Sequence, residues 1–205
     1  MNKSSIKKQI IHIVGARPQF VKLAPLHKAL SLQSNLFDQM ILHTGQHYDP
    51  EMSGRFFEQL SLPEPDINCD ISGGGHGEQT GRMLMAIEHI LLERNPSLVI
   101  VYGDTNSTLA GAICAAKCHI PVLHVEAGLR SYDWNMPEEQ NRVITDRLSS
   151  YLMCPTEVAV ENLKKEGVTD GVFVSGDLMM DSLKETINIV QESNRIESLK
   201  KKFPE

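Results

Sequence analysis

Short apolar runs alternate with longer amphipathic segments along most of the chain. The runs are rich in β-branched residues and predict strands buried on both faces, at 9–14, 39–44, 98–102, 121–125, 151–154 and 172–174. The segments between them carry apolar residues at helical spacing and predict helices at 21–30, 51–60, 78–94, 105–118, 138–150 and 157–166. Such alternation is typical of βαβ units, so we expect an α/β fold with a doubly wound parallel sheet.

Two segments depart from this alternation. Residues 61–77 contain Pro63, Pro65 and consecutive glycines from Gly73 to Gly75, which predicts a long loop. Residues 178–202 form one increasingly charged helical stretch with no strand after it. We therefore divide the chain into a Rossmann-like domain at 1–177 and a helical tail or connector at 178–205.

The composition indicates a soluble, folded protein. Of the 205 residues, 41% are hydrophobic and 22% are charged, and the formal net charge of -6 comes without a long basic run. These values argue against disorder and against a nucleic-acid partner. The apolar run after the polar N-terminus is too short for a signal peptide or a membrane span, so we expect a cytoplasmic protein with no membrane partner. The cysteines and histidines show no spacing typical of a metal site, so no metal and no other cofactor is expected.

The residues that follow the first predicted strand indicate an anion-binding turn. In open parallel sheets, ligands bind beyond the carboxyl ends of the strands. Gly15 permits a tight turn, Pro18 suits a first helical turn, and Arg17 lies beside the predicted helix N-terminus, where phosphate groups bind. Lys22 adds a second cation one turn later. A solvated arginine in an ordinary strand-to-helix turn is the alternative.

Histidines are the ambiguous polar residues of this sequence. His47 follows the second predicted strand and either contacts a ligand or caps the next helix. For His43, His76, His119 and His124 we expect structural roles, because none of them has metal-ligand spacing.

Carboxylates follow two of the predicted strands at corresponding positions. Asp104 comes after the strand at 98–102, and Glu126 comes after the strand at 121–125. Asp104 could be the N-cap of the helix that follows it, a common position for aspartate. Glu126 precedes no helix start and is therefore a candidate acid or base. A third carboxylate, Glu138, opens a helix after Pro137, where the helix dipole alone favours an acid.

Cations at one strand end and carboxylates at others describe a site for a phosphorylated substrate that undergoes proton transfer. Epimerisation needs a base and an acid on opposite faces of one carbon, because a proton leaves one face and returns on the other. The glycines at 73–75 either close over such a site or form a surface bend. They do not fit the GxGxxG pattern after a strand, which argues against a nicotinamide cofactor.

Several blocks of the sequence resemble those of the non-hydrolysing UDP-N-acetylglucosamine 2-epimerases. In chain order they are Gly15-Ala16-Arg17-Pro18, Thr44-Gly45-Gln46-His47, His76-Gly77-Glu78-Gln79-Thr80, Gly103-Asp104-Thr105-Asn106-Ser107, His124-Val125-Glu126-Ala127-Gly128-Leu129-Arg130, Pro137-Glu138-Glu139 with Asn141-Arg142, and Cys154-Pro155-Thr156-Glu157. Because the blocks span roughly residues 10–183, the resemblance covers nearly the whole chain and does not depend on any single motif.

The resemblance implies the N-terminal half of a glycosyltransferase-B-like enzyme, in which two Rossmann-type domains enclose the nucleotide sugar. Members of the family reversibly convert UDP-N-acetylglucosamine to UDP-N-acetylmannosamine. The C2 proton is removed while UDP leaves, and protonation of the other face with re-addition of UDP completes the inversion. The resemblance implies no nicotinamide and no metal, and it implies a homodimer for the full-length protein.

Site residues are carried over motif by motif. The resemblance implies that the catalytic carboxylates are Asp104, Glu126 and Glu138, without assigning which removes the proton and which restores it. The substrate-binding residues that it implies are Arg17, Lys22, His47 and Arg130. In some family members a second UDP-N-acetylglucosamine binds as an activator, and the corresponding residues here are Gln46, His47 and Arg82.

The sequence departs from the family pattern at its C-terminal side. The family continues into a second domain that carries a Gly-His-Arg motif and the main uridine and diphosphate contacts, and these 205 residues do not include it. We therefore expect negligible epimerase activity from this chain alone. Three alternatives stay open: a glycosyltransferase of the same architecture, a hydrolysing epimerase, and a nucleotide-sugar-binding module without turnover.

Overall fold

Strands and helices alternate along the part of the chain that the structure describes. The computed structural model describes residues 7–46 and 56–192. The strands are β1 (Lys8–Val14), β2 (Phe37–His43), β3 (Ile67–Asn68), β4 (Leu98–Tyr102), β5 (Val122–Val125), β6 (Tyr151–Cys154) and β7 (Val172–Val174). The helices are α1 (Arg17–Ser31), α2 (His76–Arg94), α3 (Asn106–Lys117), α4 (Pro137–Leu148), α5 (Glu157–Lys165) and α6 (Leu178–Glu192).

The six predicted strands are confirmed, and the prediction of one long loop at 61–77 is wrong in part. This segment contains β3, which pairs with Leu42 and His43 of β2, and α2 begins within it at His76. A strand of two residues is too short to show an alternating pattern. The carboxylate of Asp66 extends the pairing, since it accepts a hydrogen bond from the backbone N–H of Ile41 at 2.7 Å. The first part of the helix predicted at 51–60 lies outside the described residues. Within the described part of that segment, residues 56–59 are helical.

All seven strands run parallel in one sheet, in the order β3-β2-β1-β4-β5-β6-β7. The chain builds outward from β1 to β3, returns to the other side of β1, and then adds β4 to β7. The order therefore reverses between β1 and β4. In open α/β sheets this reversal leaves a crevice beyond the carboxyl ends of the two strands, which is where ligands bind.

Helices cover both faces of the sheet, which explains why the central strands have continuous apolar sequences. Successive side chains of a strand point to opposite faces. Ile11 and Ile13 of β1 pack with α2 and α3 on one face, whereas Ile10 and Val14 pack with α1 on the other. A doubly wound α/β sheet with a Rossmann-like arrangement is thus confirmed.

Helix α6, which the sequence predicts as a tail or connector, packs against α1. Leu178 contacts the apolar cluster beneath α1, and the hydroxyl of Ser182 donates a hydrogen bond to the carbonyl oxygen of Val21. Lys28 and Glu185 form an ion pair between the two helices. Across residues 7–46 and 56–192, no helix has the combination of length and apolar character that crossing a bilayer requires.

A buried chain of polar side chains crosses the centre of the sheet. His12 is fully buried, with Nε2 3.0 Å from the amide oxygen of Gln39 and Nδ1 2.7 Å from the hydroxyl of Tyr102. Because the amide oxygen only accepts, Nε2 carries the proton and Nδ1 accepts from Tyr102. Burial lowers the pKa of His12 to about 3, so the ring is neutral near neutral pH.

His12 makes the stability of the domain depend on pH. An unfolded His12 takes up a proton below about pH 6.5, whereas the buried ring stays neutral until about pH 3. The stabilising contribution is therefore complete above pH 6.5 and is lost as the pH falls. At pH 5 we expect the free energy of unfolding to have dropped by about 2 kcal/mol through this group.

The matched variant is His12→Asn, which keeps one acceptor and one donor but does not titrate. Urea unfolding of both proteins at pH 7.5 and pH 5 measures the difference in pH dependence. The other histidines are common to both proteins and cancel in this comparison. An equal loss of stability in the two proteins would show that His12 is not the titrating group.

Candidate active site

Two glycines lie where the strand order reverses, one after β1 and one after β4. A Cβ atom on Gly15 would lie 2.1 Å from Oγ1 of Thr44 and 2.2 Å from Oγ of Ser107, so no larger residue fits. Gly15 is therefore required by close packing, whereas the sequence suggested a tight turn. Gly103 has a φ of +62°, a left-handed conformation that favours glycine. Both positions hold the backbone close to the crevice.

The N-terminus of α1 differs from the anion site that the sequence predicts. The side-chain oxygen of Gln19 accepts hydrogen bonds from the backbone N–H groups of Gly15 at 2.7 Å and Ala16 at 3.0 Å. Two donors of the turn are therefore already bonded within the protein. Arg17 is exposed, and its guanidinium lies 4.5 Å from the centre of the Phe56 ring. Arg17 is thus an exposed positive charge at this strand end.

Lys22 of α1 and Glu126, which follows β5, form an ion pair. The side chain of Lys22 is 9% exposed and that of Glu126 is 22% exposed. A Cβ atom on Gly103 would lie 3.2 Å from the Glu126 carboxylate and 3.4 Å from the Lys22 ammonium, so Gly103 gives the pair its space. Glu126 itself has a φ of +71°, which is unfavourable for a residue with a side chain. Its backbone N–H bonds to the carbonyl oxygen of Met153 at 3.1 Å.

Asp104 is held by an arginine and does not cap the next helix. The cap of α3 is Thr105, whose hydroxyl accepts from the backbone N–H of Thr108. Arg142 donates to Asp104 through one nitrogen and to Glu139 through another, both at 2.6 Å. The N-cap alternative for Asp104 is therefore wrong, and its carboxylate faces a cation that is shared with Glu139.

Glu139 is the buried partner in this arrangement, at 2% exposure. Burial opposes its negative charge, but the backbone N–H groups of Ser131 and Tyr132 and the Arg142 guanidinium outweigh this effect and lower the pKa of Glu139. The carboxylate is thus ionised and fixes the loop that precedes α4. Glu138, its neighbour in the first turn of α4, is only partly buried.

A polar cleft brings Asp104 and Glu138 together. Its volume is about 240 Å³, and its lining includes His76, Gln79, Asp104, Asn106, Glu138 and Asn141. The amide of Asn141 donates to the carbonyl oxygen of Asp104 at 2.8 Å, and that of Asn106 donates to Gln79 at 2.9 Å. Glu126 does not line this cleft and lies beside Gly103, next to Lys22. Glu126 thus lies apart from the cleft that Asp104 and Glu138 share.

The residues carried over for a second substrate molecule have bonds within the protein. The side-chain oxygen of Gln46 accepts from the backbone N–H and the hydroxyl of Ser107, at 3.0 and 2.7 Å. Arg82 donates to the carbonyl oxygens of Ser72 and Gly73, at 3.0 and 2.8 Å. These bonds hold the start of the glycine-rich segment at 73–75 against α2. His47 lies outside the described residues.

Arg130 does not lie at the surface of the crevice, where the sequence placed a substrate-binding residue. Its side chain is 1% exposed and forms ion pairs with Asp146 at 2.8 Å and Glu166 at 2.7 Å. Burial opposes its charge, but these two carboxylates together raise the pKa of Arg130 above its usual value. The guanidinium is therefore committed to the interior, and we assign Arg130 a structural role.

Several residues of the site were not singled out from the sequence. Gln19 occupies the third position of α1 and accepts from the Ala16 N–H as a capping-box glutamine does, but the N-cap alanine lacks the Ser or Thr of the sequence signature. Arg142 and Glu139 pair with each other at i,i+3 within α4, which is a local signal. Their further partners, Asp104 and the backbone of Ser131 and Tyr132, lie outside that helix and could not be predicted. Within residues 7–46 and 56–192, no group of three or more His, Cys, Asp or Glu side chains is arranged to hold a metal ion.

The chain is similar to known proteins both in sequence and in structure. The family model described as UDP-N-acetylglucosamine 2-epimerase matches residues 29–204. A UDP-N-acetylglucosamine 2-epimerase homolog of Methanococcus maripaludis is 53% identical over 91% of this chain and 51% of its own length. A UDP-2,3-diacetamido-2,3-dideoxy-D-glucuronate 2-epimerase of Pseudomonas aeruginosa is 54% identical over 85% of this chain and 50% of its own. The chain thus spans about half the length of the curated relatives it matches.

A solved structure shows the same likeness. The UDP-GlcNAc 2-epimerase of Methanocaldococcus jannaschii, crystallised in complex with UDP-GlcNAc and UDP, superposes with a TM-score of 0.88 at 47% identity. The match covers 93% of this chain and 52% of that one. On the evidence of its sequence and its fold, the chain belongs to the UDP-N-acetylglucosamine 2-epimerase family.

Proposed function

We propose that this chain forms the N-terminal half of an enzyme that interconverts UDP-N-acetylglucosamine and UDP-N-acetylmannosamine. The reaction proceeds by elimination and re-addition of UDP. The observation that carries the proposal is the pair of carboxylates at neighbouring strand ends, each beside its own cation: Asp104 with Arg142, and Glu126 with Lys22. Membership of the family supplies the substrate class.

Inversion at C2 requires proton transfer on both faces of the same carbon. Asp104 and Glu138 line one cleft, whereas Glu126 lies beside Gly103 outside its lining. We propose that these carboxylates serve the two faces of the carbon. The substrate cations are Arg17, exposed at the end of β1, and Lys22. These residues place positive charge near the departing diphosphate, where developing charge is stabilised. His47 is proposed as a further substrate contact, and Gln46, His47 and Arg82 as residues near a second, activating substrate molecule.

The remainder of the relatives' length is proposed to complete this site and to form a homodimer with this half. The relatives are about twice as long as the matched segment. We propose that the main uridine and diphosphate contacts belong to the part beyond it. Without those contacts the leaving diphosphate would have few donors to stabilise its charge. We therefore propose that these 205 residues alone do not turn over substrate.

A second candidate substrate is favoured by one comparison. The P. aeruginosa relative, named for UDP-2,3-diacetamido-2,3-dideoxy-D-glucuronate, is 54% identical to this chain, against 53% for the M. maripaludis relative. The C2 chemistry is the same for both sugars, and they differ at C3 and C6. Parallel assays of the two nucleotide sugars with a full-length protein that carries this chain would separate the candidates by their kcat/KM values.

Glu126→Gln tests the proton-transfer role. The amide keeps the size of the side chain but cannot exchange a proton, so we expect turnover of UDP-N-acetylglucosamine to fall by about 10²- to 10⁴-fold in a full-length protein that carries this chain. Glu161→Gln, on the exposed face of α5, is the matched control. Thermal unfolding checks that the domain still folds. Turnover within a few-fold of the parent would exclude Glu126 as an acid or base.

Isotope exchange tests the proposed inactivity of the isolated chain. When the 205-residue protein is incubated with UDP-N-acetylglucosamine in deuterium oxide, we expect no deuterium at C2 by NMR. A full-length family member serves as the positive control. Incorporation of deuterium by the isolated chain would show that this half alone removes and restores the proton.

Product analysis separates the alternative functions. NMR of the reaction mixture of a full-length protein distinguishes UDP-N-acetylmannosamine from free N-acetylmannosamine with UDP, and from a sugar transferred to an acceptor. Calorimetry with UDP and UDP-N-acetylglucosamine addresses the binding module. Binding by the full-length protein without any turnover would favour that module over the enzyme.

A further inference from the structure

The two turns that carry Asp104 and Glu126 both need support from the rest of the domain. Gly103 has a φ of +62°, Glu126 of +71° and Gly128 of +78°. Residues with side chains adopt such values only where their surroundings enforce them, and Glu126 is one of these. What holds the turns also sets the separation of their carboxylates.

His124 connects the first of these turns to the interior. It is a fully buried residue of β5, with Nε2 2.7 Å from the carbonyl oxygen of Gly103 and Nδ1 2.7 Å from Oδ1 of Asp146. A carbonyl oxygen only accepts hydrogen bonds, and so does an ionised carboxylate. Both ring nitrogens must then donate, which requires the doubly protonated imidazolium.

Asp146 is ionised and connects the second turn. Its other oxygen, Oδ2, accepts from the backbone N–H of Gly128 at 3.2 Å and from Arg130 at 2.8 Å. Burial opposes its charge, but the charges and hydrogen bonds of His124 and Arg130 outweigh this and lower the pKa of Asp146. Because both of its oxygens accept hydrogen bonds, the Asp146 carboxylate stays deprotonated.

The charges balance in the interior group formed by His124, Asp146, Arg130 and Glu166. Arg130 donates through two nitrogens to the two oxygens of Glu166, at 2.7 and 2.8 Å, so two cations alternate with two carboxylates. Buried ions are tolerated when they are paired and hydrogen-bonded in this way. Two other titratable features adjoin the group. The Lys22–Glu126 pair lies beside Gly103, and the Cys154 thiol has a pKa raised to about 11, chiefly by burial and further by Asp146.

We propose that His124 is a doubly protonated positioning residue, which together with Asp146 holds the Gly103–Asp104 turn and the Glu126–Gly128 turn in a fixed relation. His124 bonds neither the Asp104 nor the Glu126 carboxylate, so it acts on their positions through the backbone. Its effect on turnover rests on the proposed epimerase function, whereas its protonation state does not.

The protonation state is tested first, on the 205-residue chain. Nitrogen-15 NMR of the histidine rings, assigned by loss of one signal in His124→Gln, should show protons on both nitrogens of His124 at pH 7.5. Exposed His89 gives the internal reference signal. A neutral tautomer of His124 at pH 7.5 would overturn the proposal whether or not the protein is an epimerase.

The positioning role is tested by a double-mutant cycle in a full-length protein that carries this chain. In His124→Gln the side-chain N–H donates to the carbonyl oxygen of Gly103, but the side-chain oxygen then faces the Asp146 carboxylate. One hydrogen bond is therefore lost. In the double variant His124→Gln/Asp146→Asn, the new amide at position 146 donates to the side-chain oxygen at position 124, whose nitrogen still donates to Gly103. The neutral pair therefore restores both hydrogen bonds without the charges.

We expect kcat to fall by about 100-fold in His124→Gln and to recover to within about 10-fold of the parent in the double variant, with little change in KM. His89→Gln is the control for histidine replacement at a distant, exposed position. Thermal unfolding of each variant separates positioning from loss of the fold. The cycle also includes Asp146→Asn alone. If the double variant is no more active than the less active of the two single variants, the positioning role is overturned. If the parent protein itself lacks epimerase activity, the proposed function fails, while the NMR result still decides the protonation state.

Discussion

Charge that is partly or fully buried near the ends of β4 and β5 must be compensated locally, and the arrangement of the candidate site depends on this compensation. Glu126 lies against Lys22, Asp104 against Arg142, and Asp146 between His124 and Arg130. Each carboxylate is therefore fixed by a cation that belongs to a different element of the fold. The catalytic geometry that we propose is thus a consequence of how the helices and strands are packed around one edge of the sheet.

The fold could be predicted from the sequence because every central strand is buried on both faces. Burial of this kind produces continuous apolar runs, such as 98–102, that differ clearly from the amphipathic helices between them. The strand β3 was missed because its two residues are too few to show a pattern, and because its pairing is completed by the side chain of Asp66. Weak local signals of this kind become visible only when the neighbouring strand is in place.

The candidate site was predictable to the extent that it follows from strand order. Parallel strands end at one edge, so Asp104 and Glu126 could be expected near each other without further information. The direction in which each side chain points at that edge could not be predicted. Arg130 follows the same strand as Glu126 but turns inward, because its partners Asp146 and Glu166 are distant in sequence and meet it only in the folded chain. The same limit applies to Gln46, whose polar side chain binds Ser107 within the protein.

Sharing of one guanidinium between two carboxylates affects how substitutions at this edge should be interpreted. Arg142 binds both Asp104 and Glu139, and Glu139 in turn holds the backbone of Ser131 and Tyr132. Removal of the Asp104 charge would release Arg142 to a single partner and alter the loop that leads into α4. A kinetic defect at Asp104 would therefore combine lost chemistry with a displaced loop, whereas a defect at Glu138, which forms no ion pair within the described residues, would report on chemistry more directly.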